Sequence, residues 1–187
     1  KYWYPISEPE RFGILPLILG SLLVTLGAII IAVPLSIACA FYISEVAQGK
    51  LKDILKSGIE MLAAIPSVVL GFIGIVTLVP WIKKVFNLPT GLTALSGSIM
   101  LGLMSMPTII SISEDAINAV PKSYKEGALA LGATRWQAMY RVVIYAALPG
   151  IIAASMLGIG RVIGETMAVM MITGNAAVIP GTFLQPV

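Results

Sequence analysis

Two charges of opposite sign, Arg161 and Glu165, stand four residues apart in GRVIGET, inside an otherwise apolar run from Ile151 to Ile172. A charge held at bilayer depth costs between ~2.5 and ~17 kcal/mol by different measures, so it is rarely retained without a role. Arginine presents a planar fork of N–H donors that matches the oxygens of an oxyanion, and it keeps its charge. A carboxylate beside it would temper the positive potential, so that an anion is released as well as captured. Thr166 adds a hydroxyl one residue on. On a continuous helix Arg161 and Glu165 share one face at i, i+4 and can also simply neutralise each other. The residues alone leave two readings open: a polar path through a membrane, and an internal pair that braces helices.

The elements that would carry these groups are membrane helices. Of 187 residues, 58% are hydrophobic and 11% are charged, against ~25% charged in a typical soluble domain. So few charges cannot cover a water-facing surface, and the chain reads as an all-α integral membrane protein forming one transmembrane domain over 1–187. One cysteine, Cys39, and no histidine leave no disulfide framework, no Cys/His metal site and no Ser-His or Cys-His pair. Cys39 lies in an apolar run and reads as a small buried hydrophobe. The basic residues are spread over short connections, which gives nucleic-acid binding little support. No cofactor is expected.

Four segments are apolar and long enough to cross roughly 30 Å of hydrocarbon, which takes about 20 helical residues. They run over about 14–44, 59–81, 92–112 and 146–173. Glycines at 71 and 74, 97 and 102, and 158, 160 and 164 would let helices approach closely. Pro66 and Pro107 are expected to kink or break their helices and free backbone groups. Lys50, Lys52 and Lys56 follow the first span, and Lys122, Lys125, Arg135 and Arg141 follow the third, against Lys1, Arg11, Lys83 and Lys84 on the other side. The positive-inside rule therefore places the connection after span three in the cytoplasm and both chain ends outside. Starting at Lys1 rather than Met, the chain is expected to belong to a longer protein.

That third connection, about 114–145, is not a plain loop. Ser123-Tyr-Lys-Glu126 and Thr134-Arg-Trp-Gln137 both fit the capping box, and Gly132 lies between them. The pattern predicts a helix over about 124–131, a glycine turn, and a second helix from about 135 into span four. Leu129, Leu131, Trp136, Met139 and Tyr140 give this knob more apolar surface than water favours, which suggests a docking surface or an interfacial helix. Glu114 and Asp115, at the edge of span three, read as solvated acids.

The stretch EGALALGATRWQAMYRVVI resembles the EAA loop of binding-protein-dependent ABC importer permeases, with Glu126, Ala128 and Gly132 in register. It departs at Gly127, Val142, Ile144 and Tyr145, the last standing where the motif has proline. Together with AAIPSVVLGFIG and LPGIIAASMLGIGRVIGETMAVMMITGN, most of the chain resembles the permeases of phosphate importers. The resemblance implies a MetI-like fold, with a further helix before Lys1 and another after Val187. It implies that the loop is a coupling helix seated in a cytoplasmic ATPase, with Glu126, Ala128, Gly132, Thr134 and Trp136 as the coupling residues. It implies Arg161, Glu165 and Thr166 on a path for inorganic phosphate. The partners implied are a second permease subunit, an ATPase dimer, an extracytoplasmic phosphate-binding protein and the lipid bilayer.

The sequence has no G-x-x-x-x-G-K-[ST]; QGK at 48–50 lacks the earlier glycine, where Ser44 stands. Without that phosphate cradle the chain is expected to hydrolyse no ATP itself. An ion-coupled secondary transporter needs membrane-embedded acids, and only Glu165 is expected to lie deep. That class, or a permease for another oxyanion, stands as the alternative.

Overall fold

The computed structural model describes Trp3–Tyr4 and residues 11–187; Lys1, counted above for orientation, lies outside the described residues. Two short strands, β1 (Trp3–Tyr4) and β2 (Arg11–Phe12), pair antiparallel. The rest of the described chain is helix and connection. Helix α1 (Leu15–Phe41) carries Pro34 inside it and continues as a π-helical turn, Tyr42–Val46. Helix α2 (Lys50–Ala64) follows Gly49.

The chain then breaks at Ile65–Pro66, because a residue before proline is pushed out of the helical region. The second apolar stretch therefore does not begin near residue 59. Residues 59–64 complete α2, and the span-length helix starts at Ser67. It comprises α3 (Ser67–Ile73), a π-helical Gly74–Leu78 and α4 (Val79–Val85). Helix α5 (Ala94–Asn118) continues through Pro107 without interruption, so that proline does not break it. After α6 (Lys122–Ala130), helix α7 (Arg135–Ala138), a π-helical Met139–Val143 and α8 (Ile144–Gly164) run on continuously, with no stop at Tyr145. Helix α9 (Met167–Ile172) is separate from α8.

Among the described residues, four helices are long and apolar enough to cross a membrane: Leu15–Val46, Ser67–Val85, Ala94–Asn118 and Arg135–Gly164. The chain is thus a multi-pass membrane protein. Its residues divide into two compact units, and α1, α5 and α8 contribute to both.

In the unit of Lys1–Ala32, Ile65–Ser105 and Ile159–Val187, Val24, Ala28, Ala94, Leu101 and Val162 form one core. Met100, Met104, Ala168 and Ile172 form another. Helix α9 packs on α3 and its π-helical continuation at glycine positions. A Cβ on Gly71 would stand 3.1 Å from Ala168 Cα, tight against the α9 backbone, and one on Gly74 would stand 2.7 Å from Ile172 Cδ1 and require that side chain's tip to move.

In the unit of Val33–Ala64 and Met106–Gly158, the core is Ala40, Ile43, Ile110, Ile117, Met139, Val143, Ala147 and Ile151. Met139, Val143, Ala147 and Ile151 recur every four residues, a stripe that holds the knob helices against α1 and α5. Met139 is therefore core and not part of the exposed apolar surface of the knob.

Candidate functional site

The helix carrying Arg161 ends three residues later. Glu165 N–H donates to Val162 O at 3.3 Å, a tightened last turn, and Glu165 and Thr166 fall between α8 and α9. In a continuous helix Ala168 N–H would bond the carbonyl of Gly164. Here it donates to Glu165 Oε1 at 3.3 Å. The carboxylate takes the place of that carbonyl, and Glu165 stands one residue past the end of the helix that carries Arg161. Thr166 holds the entry position of α9, but its hydroxyl does not cap that helix.

Arg161 and Thr166 are exposed on this chain and Glu165 is half-buried. Arg161, Val162 and Glu165 line a narrow crevice with Leu101, Met104 and Ser105 of α5, about 150 Å³ and without room for a water molecule. Ser105, which the sequence reading did not single out, is buried and donates to Gly102 O at 3.0 Å. Gly160 and Gly164, read as packing positions, have no described atom within 4 Å of where a side chain would begin. Arg161 thus stands between two glycines with open space beside them. The guanidinium of Arg161 and the hydroxyl of Thr166 are both of a kind that can contact an oxyanion, and the described residues around them do not enclose a cavity for one.

The knob forms largely as its sequence predicts. Thr134 Oγ1 accepts from Gln137 N–H at 3.2 Å, and Gln137 Oε1 accepts from Thr134 N–H at 2.9 Å, a complete capping box. Gly132 sits at φ +84°, which disfavours any residue with a side chain. The first capping box does not form. Helix α6 begins at Lys122, directly after Pro121, so Ser123 is already inside it and caps nothing. Thr134→Ala is expected to cost about 1 kcal/mol of local helix stability. Hydrogen exchange at residues 135–138 in the assembled protein should rise accordingly; unchanged exchange would remove the cap's role.

Glu126, Gly132, Thr134 and Trp136 are exposed and Ala128 is half-buried. A groove of about 670 Å³ runs along the knob past Tyr124, Gly127, Ala128, Leu131, Gln137 and Arg141. Leu131 is 91% exposed at its rim, far more than an isolated chain needs. The knob also touches the end of the first span: Lys125 Nζ lies 2.7 Å from Glu45 Oε2, and the exposed Trp136 ring meets Phe41 edge-on with centroids 5.6 Å apart.

Glu114 is not a solvated acid. It is 2% exposed, with Lys56 Nζ at 2.9 Å and Lys52 Nζ at 3.3 Å, and it accepts from Asn118 Nδ2 at 2.8 Å. Asp115 does stay exposed, 3.4 Å from Lys56. Lys52 and Lys56 are one turn apart on α2, so a single carboxylate fixes that helix against the end of α5. The hydrogen bond to Glu114 holds the Lys56 ammonium above its ordinary pKa, against a smaller opposing effect of burial.

Among the described residues, four span-length apolar helices, a capped helical knob with an exposed apolar rim and charged residues at the end of the last span define a multi-pass membrane protein with a shaped connection between its last two spans. The chain belongs to the family described as binding-protein-dependent transport system inner membrane components, which matches residues 32–185. It is 46% identical over 95% of its length to the probable ABC transporter permease protein YqgH of Bacillus subtilis, covering 58% of that protein. It is 35% identical over 99% of its length to the phosphate transport system permease protein PstC of Haemophilus influenzae, covering 64% of it. A third relative, the permease PstC 2 of Mycobacterium tuberculosis, is 33% identical over 95% of this chain and 60% of its own length. The chain thus spans about three-fifths of these curated relatives.

Proposed function

We propose that this chain is a permease subunit of an ATP-driven importer that carries inorganic phosphate into the cytoplasm. The observation that carries the reading is the similarity, over nearly the whole of this chain, to permeases named for phosphate transport. The open face at Arg161 supports it chemically. Arg161 offers the bidentate fork that suits phosphate oxygens, Thr166 a hydroxyl, and Glu165 a counter-charge that favours release. Because this face is uncovered here, the path is completed by a second permease subunit facing it. An extracytoplasmic phosphate-binding protein delivers the ion, and a cytoplasmic ATPase dimer supplies the energy, since this chain holds no nucleotide cradle.

In this reading the knob is the ATPase contact, with Glu126, Ala128, Gly132, Thr134 and Trp136 on or beside the docking surface. Gly132→Ala forces a side chain into the left-handed region at about 1–2 kcal/mol, and Glu126→Ala removes an exposed charge from α6. Both variants are expected to reach the membrane and to lose the ATPase during purification. Retention of a coupled ATPase by both would refute the assignment. The direct test of the whole reading is ATP-dependent phosphate uptake by vesicles holding the complete complex, compared with the Arg161→Ala complex. Uptake that collapses with an uncoupler while ATP is maintained would point instead to an ion-coupled carrier.

A further inference from the structure

Resting on the reading of the knob as the ATPase contact, we propose that Phe41, the last residue of α1, and Glu45, in its π-helical continuation, are the positioning residues through which ATPase motion reaches the first span. Outside the buried stripe that begins at Met139, α6 buries no residue and α7 only Ala138. Each knob helix is gripped by one residue of that end of α1. Glu45 takes Lys125 of α6 at 2.7 Å, and Phe41 takes Trp136 of α7 ring edge to ring face. The Glu45 side chain is 16% exposed and that of Lys125 36%, so this pair is less screened than a surface contact.

The receiving segment is suited to shift. Tyr42–Val46 is π-helical, closing with Ala47 N–H on Tyr42 O at 2.9 Å, and such turns interrupt the regular ladder of an α-helix. It is also tied onward. Ser44 Oγ donates to Asn118 Oδ1 at 2.8 Å, Asn118 donates to Glu114, and Glu114 holds Lys52 and Lys56 of α2. A displacement of α6 thus meets Glu45 through Lys125, passes one residue along the π-helical backbone to Ser44, and from there meets polar contacts to α5 and α2. Contact shows where a force can pass; coupling must be measured.

The test is a charge exchange in the complete complex: Glu45→Lys, Lys125→Glu, and both together. Each single variant is expected to keep the ATPase bound yet to lower phosphate taken up per ATP hydrolysed by at least about fivefold, the lower end of coupling between linked sites. The double variant is expected to return to within about twofold of the wild type, as a restored contact pair should. If Glu45→Lys does not assemble, Glu45→Ala and Lys125→Ala are scored singly and together in its place, and the double variant is expected to lose no more coupling than either single one. A second readout needs no phosphate: alkylation of Leu35→Cys in a Cys39→Ala background, with and without trapped nucleotide. The singles should lose the nucleotide response and the exchange should recover it. Wild-type coupling in the singles, or no recovery in the exchange, overturns the proposal. A wild type that shows the nucleotide response but takes up no phosphate fails only the substrate reading.

Discussion

Arg161→Ala is expected to lower ATP-dependent phosphate uptake about 10- to 150-fold, the range given by losing hydrogen bonds to a charged group worth ~1.5–3 kcal/mol. The side chain stands on an open face beside the α8–α9 break, between glycines that leave the backbone uncovered. Arg161→Lys separates charge from geometry, because lysine keeps the charge but offers a point donor instead of a planar fork. Uptake in that variant should fall about tenfold, the loss expected when one of two parallel hydrogen bonds is missing. Wild-type uptake with lysine would sink the bidentate contact. Combining Arg161→Ala with Glu165→Ala addresses the other reading of the pair. If the two residues only neutralised each other, the double variant would recover what either single one lost. No recovery is expected, because Glu165 also holds the Ala168 N–H at the start of α9, and removing it loosens the break itself.

The four spans and the knob were legible because each rests on local signals. Twenty or so apolar residues make a crossing helix almost regardless of context. Thr134 and Gln137 close on each other three residues apart, and Gly132 takes a conformation that few other residues tolerate. What was not legible needed tertiary partners or a competition between near-equal local states. The run from Gly158 to Ile172 reads the same whether the helix continues or breaks; the break exists because a carboxylate can stand in for one carbonyl. Pro66 broke its helix and Pro107 did not, although both lie in apolar stretches. Ser123 lost its cap to Pro121, which starts the helix early enough to leave the serine inside. The burial of Met139 was within reach, since the stripe it shares with Val143, Ala147 and Ile151 has helical spacing. Glu114 was out of reach. Its lysines lie about sixty residues earlier, on a helix whose docking no local pattern specifies.

Glu114 accordingly carries the other large expectation. Breaking a buried ion pair typically costs ~3–5 kcal/mol, mainly because a charge is left without compensation. Here Glu114→Gln removes the buried member, and the charges left behind belong to Lys52 and Lys56, with side chains 31% and 40% exposed. Both can turn toward water, so the cost is discounted to about 1–2 kcal/mol. Glutamine still offers Asn118 an acceptor, which isolates the loss to the ion pairs. Glu114→Lys is the severe variant: it buries a third cation against two others and is expected to prevent accumulation of the folded chain. The measurement is thermal unfolding of the purified complex, with Lys56→Gln added to close a double-mutant cycle that assigns the coupling to that pair. The pH dependence has a definite sign. The Lys56 pKa is raised in the fold, so its contribution is full below the ordinary lysine value of 10.5 and is lost only as pH rises through the folded value. The gap between wild type and Glu114→Gln should therefore hold through neutral and mildly alkaline pH and close above it. Equal stability of the two at neutral pH would mean that water serves the lysines as well as Glu114 does. The docking of α2 on α5 would then rest on Leu55 and Ile59 packed against the apolar core.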